Sequence, residues 1–428
     1  MTEQVLPAEP LTGAPSHSET VDGTIETRNP FATAGYRNWW AASVVAGTGV
    51  GIQAVTVPLF IRDRVPDDAR PIAIAAALIC QTLPGAALAL FGGVVADRVE
   101  RRRILVRTYS VAAAVSLAYV ALAGMDAGCI WPVFFLAAIV GGAGAFTNPA
   151  RASMMPQILK PAQLQNGVIL GTMAFMATLQ FGGPTLGGFL ADGPGLTFAF
   201  GAEVVMLAAA AFLFSRIATD APVPTGRNVR ADLVEGLRYV RRSPQLTGVL
   251  ALGTVPGVFL MGPFSVTVVI FVEDVLKESD KFVGILWGCF GAGIVFGSML
   301  MTVIRLRRRG LLLCSSVLFG GFFMMLYGLS SSLPVNMIML FVSGVLGPAI
   351  FINFAMALLQ ENTERAMMGR VMSMYSLAFT ASTPVGYAQA GLMASAFGPQ
   401  TTVVVSAIIA MVIGVAAMLF LRPVTKLR

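Results

Sequence analysis

The stretch GGVVADRVERRRIL, residues 92–105, places six charged side chains within the seven positions 97–103. Apolar segments lie on both sides of it, although only 12% of the 428 residues are charged and 56% are hydrophobic. Runs of roughly 20 apolar residues, each able to cross a hydrocarbon core about 30 Å thick as a helix, recur along most of the chain. The sequence therefore predicts a polytopic, all-helical membrane protein in which this stretch is a loop.

The apolar segments predict twelve transmembrane helices in two sets of six, as expected for a transporter built from repeats. They cover residues 39–61, 72–96, 104–124, 130–149, 166–190, 195–216, 247–271, 283–304, 311–330, 335–358, 369–396 and 400–421. The predicted organisation is a disordered cytoplasmic tail, a six-helix half, a cytoplasmic connector and a second six-helix half with a short tail. Their boundaries are residues 1–36, 37–216, 217–246 and 247–428. Within the connector, ADLVEGLRYVRRSP has one apolar face and predicts an amphipathic helix at the inner membrane surface.

The net charge of +7 reflects topology and does not require a nucleic-acid partner. With the N-terminus inside, 24 of the 29 Lys and Arg residues lie on the inner side of the membrane. The remaining basic residues are Arg62, Arg64, Arg70, Lys277 and Lys281. Because basic loops stay in the cytoplasm, both termini are predicted to be cytoplasmic. The excess of Arg over Lys, with abundant Ala and Gly, suggests a GC-rich bacterial genome. The predicted location is therefore the cytoplasmic (inner) membrane of a bacterium.

Several kinds of enzyme are excluded by residues that the sequence lacks. The single histidine, His17, lies in the tail, so histidine-based metal sites and catalytic triads are absent. No glycine-rich loop ends in Gly-Lys, which excludes the phosphate-binding loop of common ATPases. The four cysteines have no Cys-x-x-Cys spacing and are expected to be apolar packing residues. We therefore expect no cofactor and no metal, and transport driven by an ion gradient.

The quoted loop resembles the conserved loop between spans two and three of the major facilitator superfamily, Gly-x-x-Ala-Asp-Arg-x-Gly-Arg-Arg. The matching positions are Gly93, Ala96, Asp97, Arg98, Arg101 and Arg102. Glu100 stands where the family has glycine. The resemblance implies a gating latch, whose carboxylate and guanidinium groups pair with the other half and release as the halves rock. A loop that only sets topology would account for the arginines but not for Asp97.

A second element, FGGPTLGG at residues 181–188, resembles the Gly-Pro-x-x-Gly-Gly element of exporters and proton antiporters in this superfamily. The matching residues are Gly183, Pro184, Gly187 and Gly188. Pro184 removes an amide from the helix and the glycines allow a neighbouring helix to approach closely, so a bend and a tight contact are expected together. Ordinary glycine packing is the alternative in a chain with 45 glycines.

Three further stretches narrow the resemblance to the enterobactin-exporter and macrolide-efflux branch of the superfamily. They are FTNPARASMMPQIL, EGLRYVRRSP and LLQENTERAMMGRVMSMYSL. With them the resemblance runs from about residue 37 to residue 423. It implies alternating access around a cavity between the two halves.

Glu203 is the ionisable residue that stands out inside a predicted span, about 13 Å from its outer end at 1.5 Å per residue. An acid at that depth is costly and marks a proton or cation site by default. We therefore take Glu203 as the candidate for proton coupling. A glutamate that bonds a neighbouring helix, or whose side chain extends to the outer surface, is the alternative.

Polar residues in other spans are candidates for the substrate cavity, although polar side chains more often join helices. In the first ten spans they are Gln53, Gln81, Gln180 and Asn353. In span eleven they form a stripe, because Tyr375, Thr380, Thr383 and Tyr387 share a helical face.

These features predict a monomeric antiporter that exchanges protons for an amphipathic small molecule, such as a drug or a siderophore, and exports it from a bacterial cytoplasm. Two alternatives remain open at this point. The first is an importer or facilitator of a metal ion, metal complex or other small solute. The second is a membrane receptor or scaffold of the same fold that transports nothing.

Tags at the N-terminus, at the C-terminus and near Thr225 are expected to be cytoplasmic, because the basic residues concentrate on that side. The measurement is labelling of intact cells by a membrane-impermeant reagent, with a tag between residues 63 and 69 as the externally labelled control. A terminal tag that is labelled in intact cells would overturn the twelve-span topology.

Overall fold

Helices make up nearly all of the chain that the computed structural model describes, which is residues 29–125, 129–219, 229–304, 308–365, 367–425 and 427. For residues 89–98 and 229–233 only the backbone is described. Before residue 220 the helices are α1 Ala34–Arg62, α2 Arg70–Arg98, α3 Arg101–Gly124, α4 Trp131–Ile158, α5 Pro161–Ala177, α6 Gly183–Asp192 and α7 Leu196–Ser215. After residue 228 they are α8 Val229–Arg242, α9 Pro244–Pro256, α10 Gly262–Ile270, α11 Lys281–Val303, α12 Arg309–Leu329, α13 Leu333–Gly344, α14 Ile350–Glu361, α15 Met368–Phe420 and α16 Arg422–Thr425. We call α1–α7 the first group and α9–α16 the second group.

Short π-helical turns join several of these helices into longer spans. Thr178–Gly182 joins α5 to α6, Gly257–Met261 joins α9 to α10, and Val345–Ala349 joins α13 to α14. Each turn contains or directly precedes a Gly-Pro pair. Because proline lacks the amide and its ring crowds the carbonyl four residues earlier, one wider turn lets the helix continue past it. The helix thus continues through Pro184 and widens at that point.

Ten of the described helical segments are long and apolar enough to cross a membrane. One of them, α15, has 53 residues and is interrupted at Gly398, whose φ of 83° is left-handed. Glycine adopts this conformation without steric cost, so α15 turns here and supplies two spans. With the joined pair α5–α6 the bundle has about 10–12 spans, and the predicted all-helical membrane architecture is confirmed.

Several helices extend beyond their predicted limits, and α4 and α1 are two examples. Helix α4 ends at Ile158, although residue 149 was the predicted end, and its last turns bury Ala150 and Met154 in the core of the first group. Helix α1 begins at Ala34, inside the segment predicted as a tail. The Asn29 side chain caps the preceding turn. Residues 1–28 lie outside the described chain, so the disordered tail stays a prediction.

The two groups of helices share a hydrophobic core at one end of the bundle. There Val57 and Ile74 of the first group pack in one cluster with Val266 and Tyr387 of the second. This end also holds residues 63–69 and 277–280, which the charge pattern places outside. We therefore name it the outer end and the opposite end the inner end.

Helices α6 and α11 touch through backbone near the outer end, where Gly188 faces Gly284. A Cβ atom added to Gly188 would lie 2.8 Å from the Cα atom of Gly284, and one added to Gly284 would lie 2.4 Å from the carbonyl oxygen of Pro184. Backbone atoms cannot move aside as a flexible side chain can. The close contact between the two groups therefore requires the absence of side chains at both positions.

Gly188→Ala is expected to destabilise the protein by about 1–3 kcal/mol, because the added methyl group overpacks a contact between two backbones. The measurement is the melting temperature of the purified variant. Gly182→Ala is the matched control, since a Cβ at Gly182 meets nothing within 4 Å. Equal melting temperatures for the two variants would contradict this interpretation of the contact.

Candidate functional site

A cluster of ionic side chains joins the two groups at the outer end. Arg62, at the end of α1, donates from Nη2 to Asp280 Oδ2 at 2.9 Å and from Nη1 to the other oxygen of the same carboxylate. Its Nε lies 3.4 Å from Glu273 Oε2. Arg70, which starts α2, lies 3.5 Å from the same Glu273 oxygen. We call Arg62, Arg70, Glu273 and Asp280 the outer ion cluster.

Local structure holds the carboxylates of this cluster in place. After the π-helical turn Phe271–Leu276, Lys277 adopts a left-handed conformation, so the chain reverses and Asp280 becomes the N-cap residue of α11. The positive end of a helix dipole favours a carboxylate at that position. On the other side, Arg70 donates from Nε to the carbonyl of Arg62 at 3.1 Å and fixes α2 against the end of α1.

The outer ion cluster is partly shielded from water, which strengthens it. The side chain of Arg62 is 11% exposed and that of Asp280 is 23% exposed. Exposed ion pairs contribute about 0–1 kcal/mol, whereas removing one partner of a buried pair costs about 3–5 kcal/mol. An intermediate value, about 1–3 kcal/mol, is expected for the bidentate pair between Arg62 and Asp280. A stabilisation of this size favours the closed outer end but still allows it to open.

The Gly-Pro element lies between both groups, next to this closed end. A Cβ atom added to Gly183 would lie 2.6 Å from the Cα atom of Gly51, and one at Gly187 would lie 3.1 Å from the Cα atom of Ile52. These two glycines therefore face α1, whereas Gly188 faces α11. The element brings α1, α6 and α11 into contact at the boundary between the groups.

The predicted latch is only partly described. For Gly93, Asp97 and Arg98 only the backbone is described, so the latch stays a prediction. Arg101 donates from Nε to Ser153 Oγ at 2.9 Å, and the Nε atoms of Arg102 and Arg103 lie 3.0 Å and 2.7 Å from the Glu100 carboxylate. Glu100, which stands in place of the family's glycine, thus binds the arginines that follow it.

The polar candidates in the first ten spans bond within one group or lie at the boundary. Gln81 donates to Gln53 at 3.0 Å and joins α2 to α1, while Asn353 donates to Ser298 at 3.0 Å and joins α14 to α11. Gln180 lies in the π-helical turn before α6, where its carbonyl would be 2.0 Å from a Cβ atom on Gly291. These contacts are those of side chains that join helices, and a substrate role stays a prediction.

The stripe on α15 packs mainly against neighbouring helices. Tyr375, Thr383 and Tyr387 are buried, and Thr380 is half-buried. The ring of Tyr375 lies 3.5 Å from a Cβ atom placed on Gly253 of α9, and Tyr387 belongs to the core shared by both groups. The Thr383 hydroxyl donates to the carbonyl of Phe379 in its own helix. Whether this stripe meets substrate stays a prediction.

Glu203 lies fully buried in the first group, between α7 and α3. The Ser116 hydroxyl donates to Glu203 Oε1 at 2.7 Å. The other carboxyl oxygen, Oε2, has no partner among the described residues. The bond to Ser116 fits a glutamate that joins helices, and the unpaired oxygen fits one that carries a proton. Both interpretations from the sequence remain open.

Arg151 is a buried charged residue that the sequence analysis assigned to an inner loop. Because α4 continues past Pro149, Arg151 lies within the helix and is only 9% exposed. Its guanidinium carbon lies 3.4 Å from the centre of the Phe175 ring in α5. The apolar residues Ala150, Met154 and Met155, spaced as on a helix, were the signal for this continuation, and the proline concealed it.

Comparison with known sequences identifies relatives along nearly the whole chain. A family model described as transmembrane secretion effector, of the major facilitator type, matches residues 25–427. The enterobactin exporter EntS of Escherichia coli O81 is 24% identical over 360 residues, 81% of this chain and 83% of EntS. The MFS-type transporter YvqJ of Bacillus subtilis is 23% identical over 302 residues, 68% of this chain and 71% of YvqJ.

Solved structures of transporters have the same fold. A variant of the nucleoside transporter NupG has a TM-score of 0.70 at 13% identity and covers 90% of this chain and 99% of its own. A variant of the peptide transporter POT, in complex with sulfate, has a TM-score of 0.73 at 13% identity and covers 92% and 95%. The major facilitator fold predicted from the sequence is confirmed.

Asp280→Asn is expected to loosen the outer end, because it removes the charge that pairs with Arg62 across the two groups. The reporter is Val57→Cys, in the shared core, in a variant whose four native cysteines are replaced. Its reaction with a membrane-impermeant maleimide is expected to be at least about fivefold faster, as a loss near 1 kcal/mol implies.

Asp63→Asn is the matched control for this measurement. Asp63 also pairs with Arg62, at 2.7 Å, but both residues of this pair belong to the first group. Its replacement should leave the reaction rate of the cysteine near the reference value. Equal acceleration by both substitutions would mean that the outer ion cluster does not close the bundle.

Proposed function

The chain belongs to the transmembrane secretion effector family of the major facilitator superfamily, and we propose that it exports an amphipathic small molecule in exchange for protons. The substrate class is that of a drug or a siderophore, and the membrane is the cytoplasmic membrane of a bacterium with both termini inside. Family membership makes the protein a secondary transporter in a lipid bilayer rather than an enzyme.

Similarity to an exporter carries the proposed direction of transport. The similarity to EntS extends over 81% of the chain and therefore includes both groups of helices. The Gly-Pro element, which resembles that of exporters and antiporters, lies where α1 and α11 meet. An element in this position can set how closely the groups approach at the outer end, and hence when that end opens.

The chemistry of the closed outer end supports alternating access. The boundary is held by ionic groups and by contacts between glycines, as at the outer ion cluster and at Gly188 with Gly284. Such contacts can separate without unfolding a helix, because water can solvate the released charges. Each group also has packing of its own, exemplified by the inner core of the first group around Trp39 and Tyr109. Movement of two packed groups about a separable boundary is the motion that alternating access needs.

Glu203 is the residue that we propose for proton coupling. One carboxyl oxygen accepts a bond from Ser116, and the other has no donor in the described structure. A neutral carboxyl group would carry its proton on that second oxygen, whereas an ionised one would leave a buried charge with a single donor. The residue is fully buried in this conformation, so proton exchange requires conformations in which it is reached from each side of the membrane in turn.

Everted membrane vesicles containing the protein are expected to accumulate a substrate when the lumen is acidified, and substrate should release protons from the lumen. The panel should contain cationic, neutral and anionic drugs together with siderophores. Glu203→Gln should abolish accumulation but keep substrate binding, because the variant resembles the permanently protonated form.

Glu278→Gln is the matched control, since this glutamate is exposed at the outer end. Uptake and pH dependence should be unchanged in that variant. Accumulation by Glu203→Gln with the original pH profile would remove Glu203 from the coupling mechanism. Accumulation of a panel member only in right-side-out vesicles would identify an importer and contradict the proposal.

A further inference from the structure

We infer that Arg151 is an anchor for an acidic group on the transported molecule, so that substrates combine a carboxylate, sulfonate or phosphate with an aromatic or apolar body. This inference rests on the proposed transport function and specifies its substrate class. It concerns a residue of the stretch FTNPARASMMPQIL to which the resemblance gave no role and which lies outside the outer ion cluster.

Arg151 is a buried cation without a matching anion. It lies seven residues before the end of α4, about 10 Å into the helix at 1.5 Å per residue. Its Nε and Nη1 atoms are shielded from solvent and have no hydrogen-bond acceptor. Among the described residues it has no ion pair, and the group in electrostatic range is the neutral Tyr109 hydroxyl. Several N–H donors therefore remain available.

A buried guanidinium group without an acceptor destabilises the folded protein, and we attribute its presence here to binding. A guanidinium group carries five N–H donors and no acceptor, and buried charges in proteins are normally paired. An arginine inside a membrane protein is costly and is normally paired with an acid or with backbone carbonyls. The contact with the Phe175 ring offsets part of this cost. The ring holds the guanidinium from one side and leaves its N–H groups unsatisfied.

Other arginines near the inner end show that acceptors are supplied when the role is structural. Arg102 and Arg103 pair with Glu100, and Arg309 pairs with Glu361. These arginines are also more exposed to water than Arg151. Arg151, the least exposed of these four arginines, is thus the one without an anionic partner among the described residues.

The surroundings of Arg151 favour an aromatic anion. Trp39 of α1 is 2% exposed, and its indole N–H also has no acceptor. The ring of Trp39 packs against α5 one turn before Phe175, since a Cβ atom on Gly171 would lie 2.4 Å from Trp39 Cζ3. Ser43, one turn along α1 from Trp39, is fully buried with an unpartnered hydroxyl. Three helices thus contribute donors and aromatic faces to the same part of the first group.

The test uses two probes of nearly equal shape, naphthalene-1-sulfonate and the neutral naphthalene-1-sulfonamide. Binding to the full-length protein in phosphatidylcholine nanodiscs is measured by calorimetry and by the shift in melting temperature. The sulfonate is expected to bind at least about tenfold more tightly, as one charge-assisted contact of about 1.4 kcal/mol or more implies. Arg151→Gln should abolish this preference and leave sulfonamide binding unchanged, whereas Arg151→Lys should keep part of it.

Arg107→Gln is the matched control, because Arg107 is an exposed arginine at the same end of the first group. It should leave the preference for sulfonate intact. If Arg151→Gln does not fold, Trp39→Phe replaces the indole with a smaller ring that has no N–H, and should lower the ratio of sulfonate to sulfonamide affinity about threefold. Equal binding of the two probes to the unmodified protein would overturn the inference. So would a preference for sulfonate that survives Arg151→Gln, or a loss of preference in Arg107→Gln.

These outcomes are distinguishable from failure of the proposed function. If binding is selective for the sulfonate and depends on Arg151, but vesicles show no proton-driven accumulation, the anion site is supported and antiport is rejected. Proton-driven export of neutral compounds, with no preference for sulfonate, would retain antiport and reject the anion site.

Discussion

The bidentate pair between Arg62 and Asp280 is the interaction on which this conformation depends, because it joins the two groups of helices through residues 218 positions apart in the chain. Glu273 and Arg70 extend the pair into a cluster at the same end. Directly below it, the Gly188–Gly284 contact allows α6 and α11 to meet backbone to backbone. The ion pairs are strong only while water is excluded, and the glycine contact helps to exclude it. Charge and close packing therefore support each other at the outer end.

Among its described residues the first group buries one acid, Glu203, and one basic residue, Arg151, and they do not pair with each other. Glu203 bonds to Ser116, while Arg151 rests on the Phe175 ring. A membrane protein avoids such costs when it can, and neutralising the two by mutual pairing would have been the simplest solution. Their separation suits a transporter that handles a proton and an acidic substrate at different places in one group of helices.

Sequence reasoning predicted the helices well because long apolar segments have few alternatives in a bilayer. The predicted end of a helix was wrong at Pro149, because packing continues the helix past this proline. This error placed Arg151 in a loop. The pairing of Arg62 with Asp280 could not be predicted, because no local pattern specifies which of many distant charges will meet. The glycines of the FGGPTLGG element indicated a close helix contact, but only the fold shows that Gly183 faces α1 while Gly188 faces α11. For Glu203 the sequence indicated depth, and the unequal environments of its two oxygens required the structure.

The central claim is that the outer end opens and closes by separation of the two groups. Its most direct test is a distance measurement across the outer end by double electron–electron resonance. Spin labels at Asp68→Cys and Ser279→Cys would report on exposed positions of the first and second group, in a variant without native cysteines. The account predicts one narrow, short distance in reconstituted protein at rest. It predicts a second, longer population when a transported substrate is added at low outer pH. A single unchanged distance under all conditions would contradict the claim.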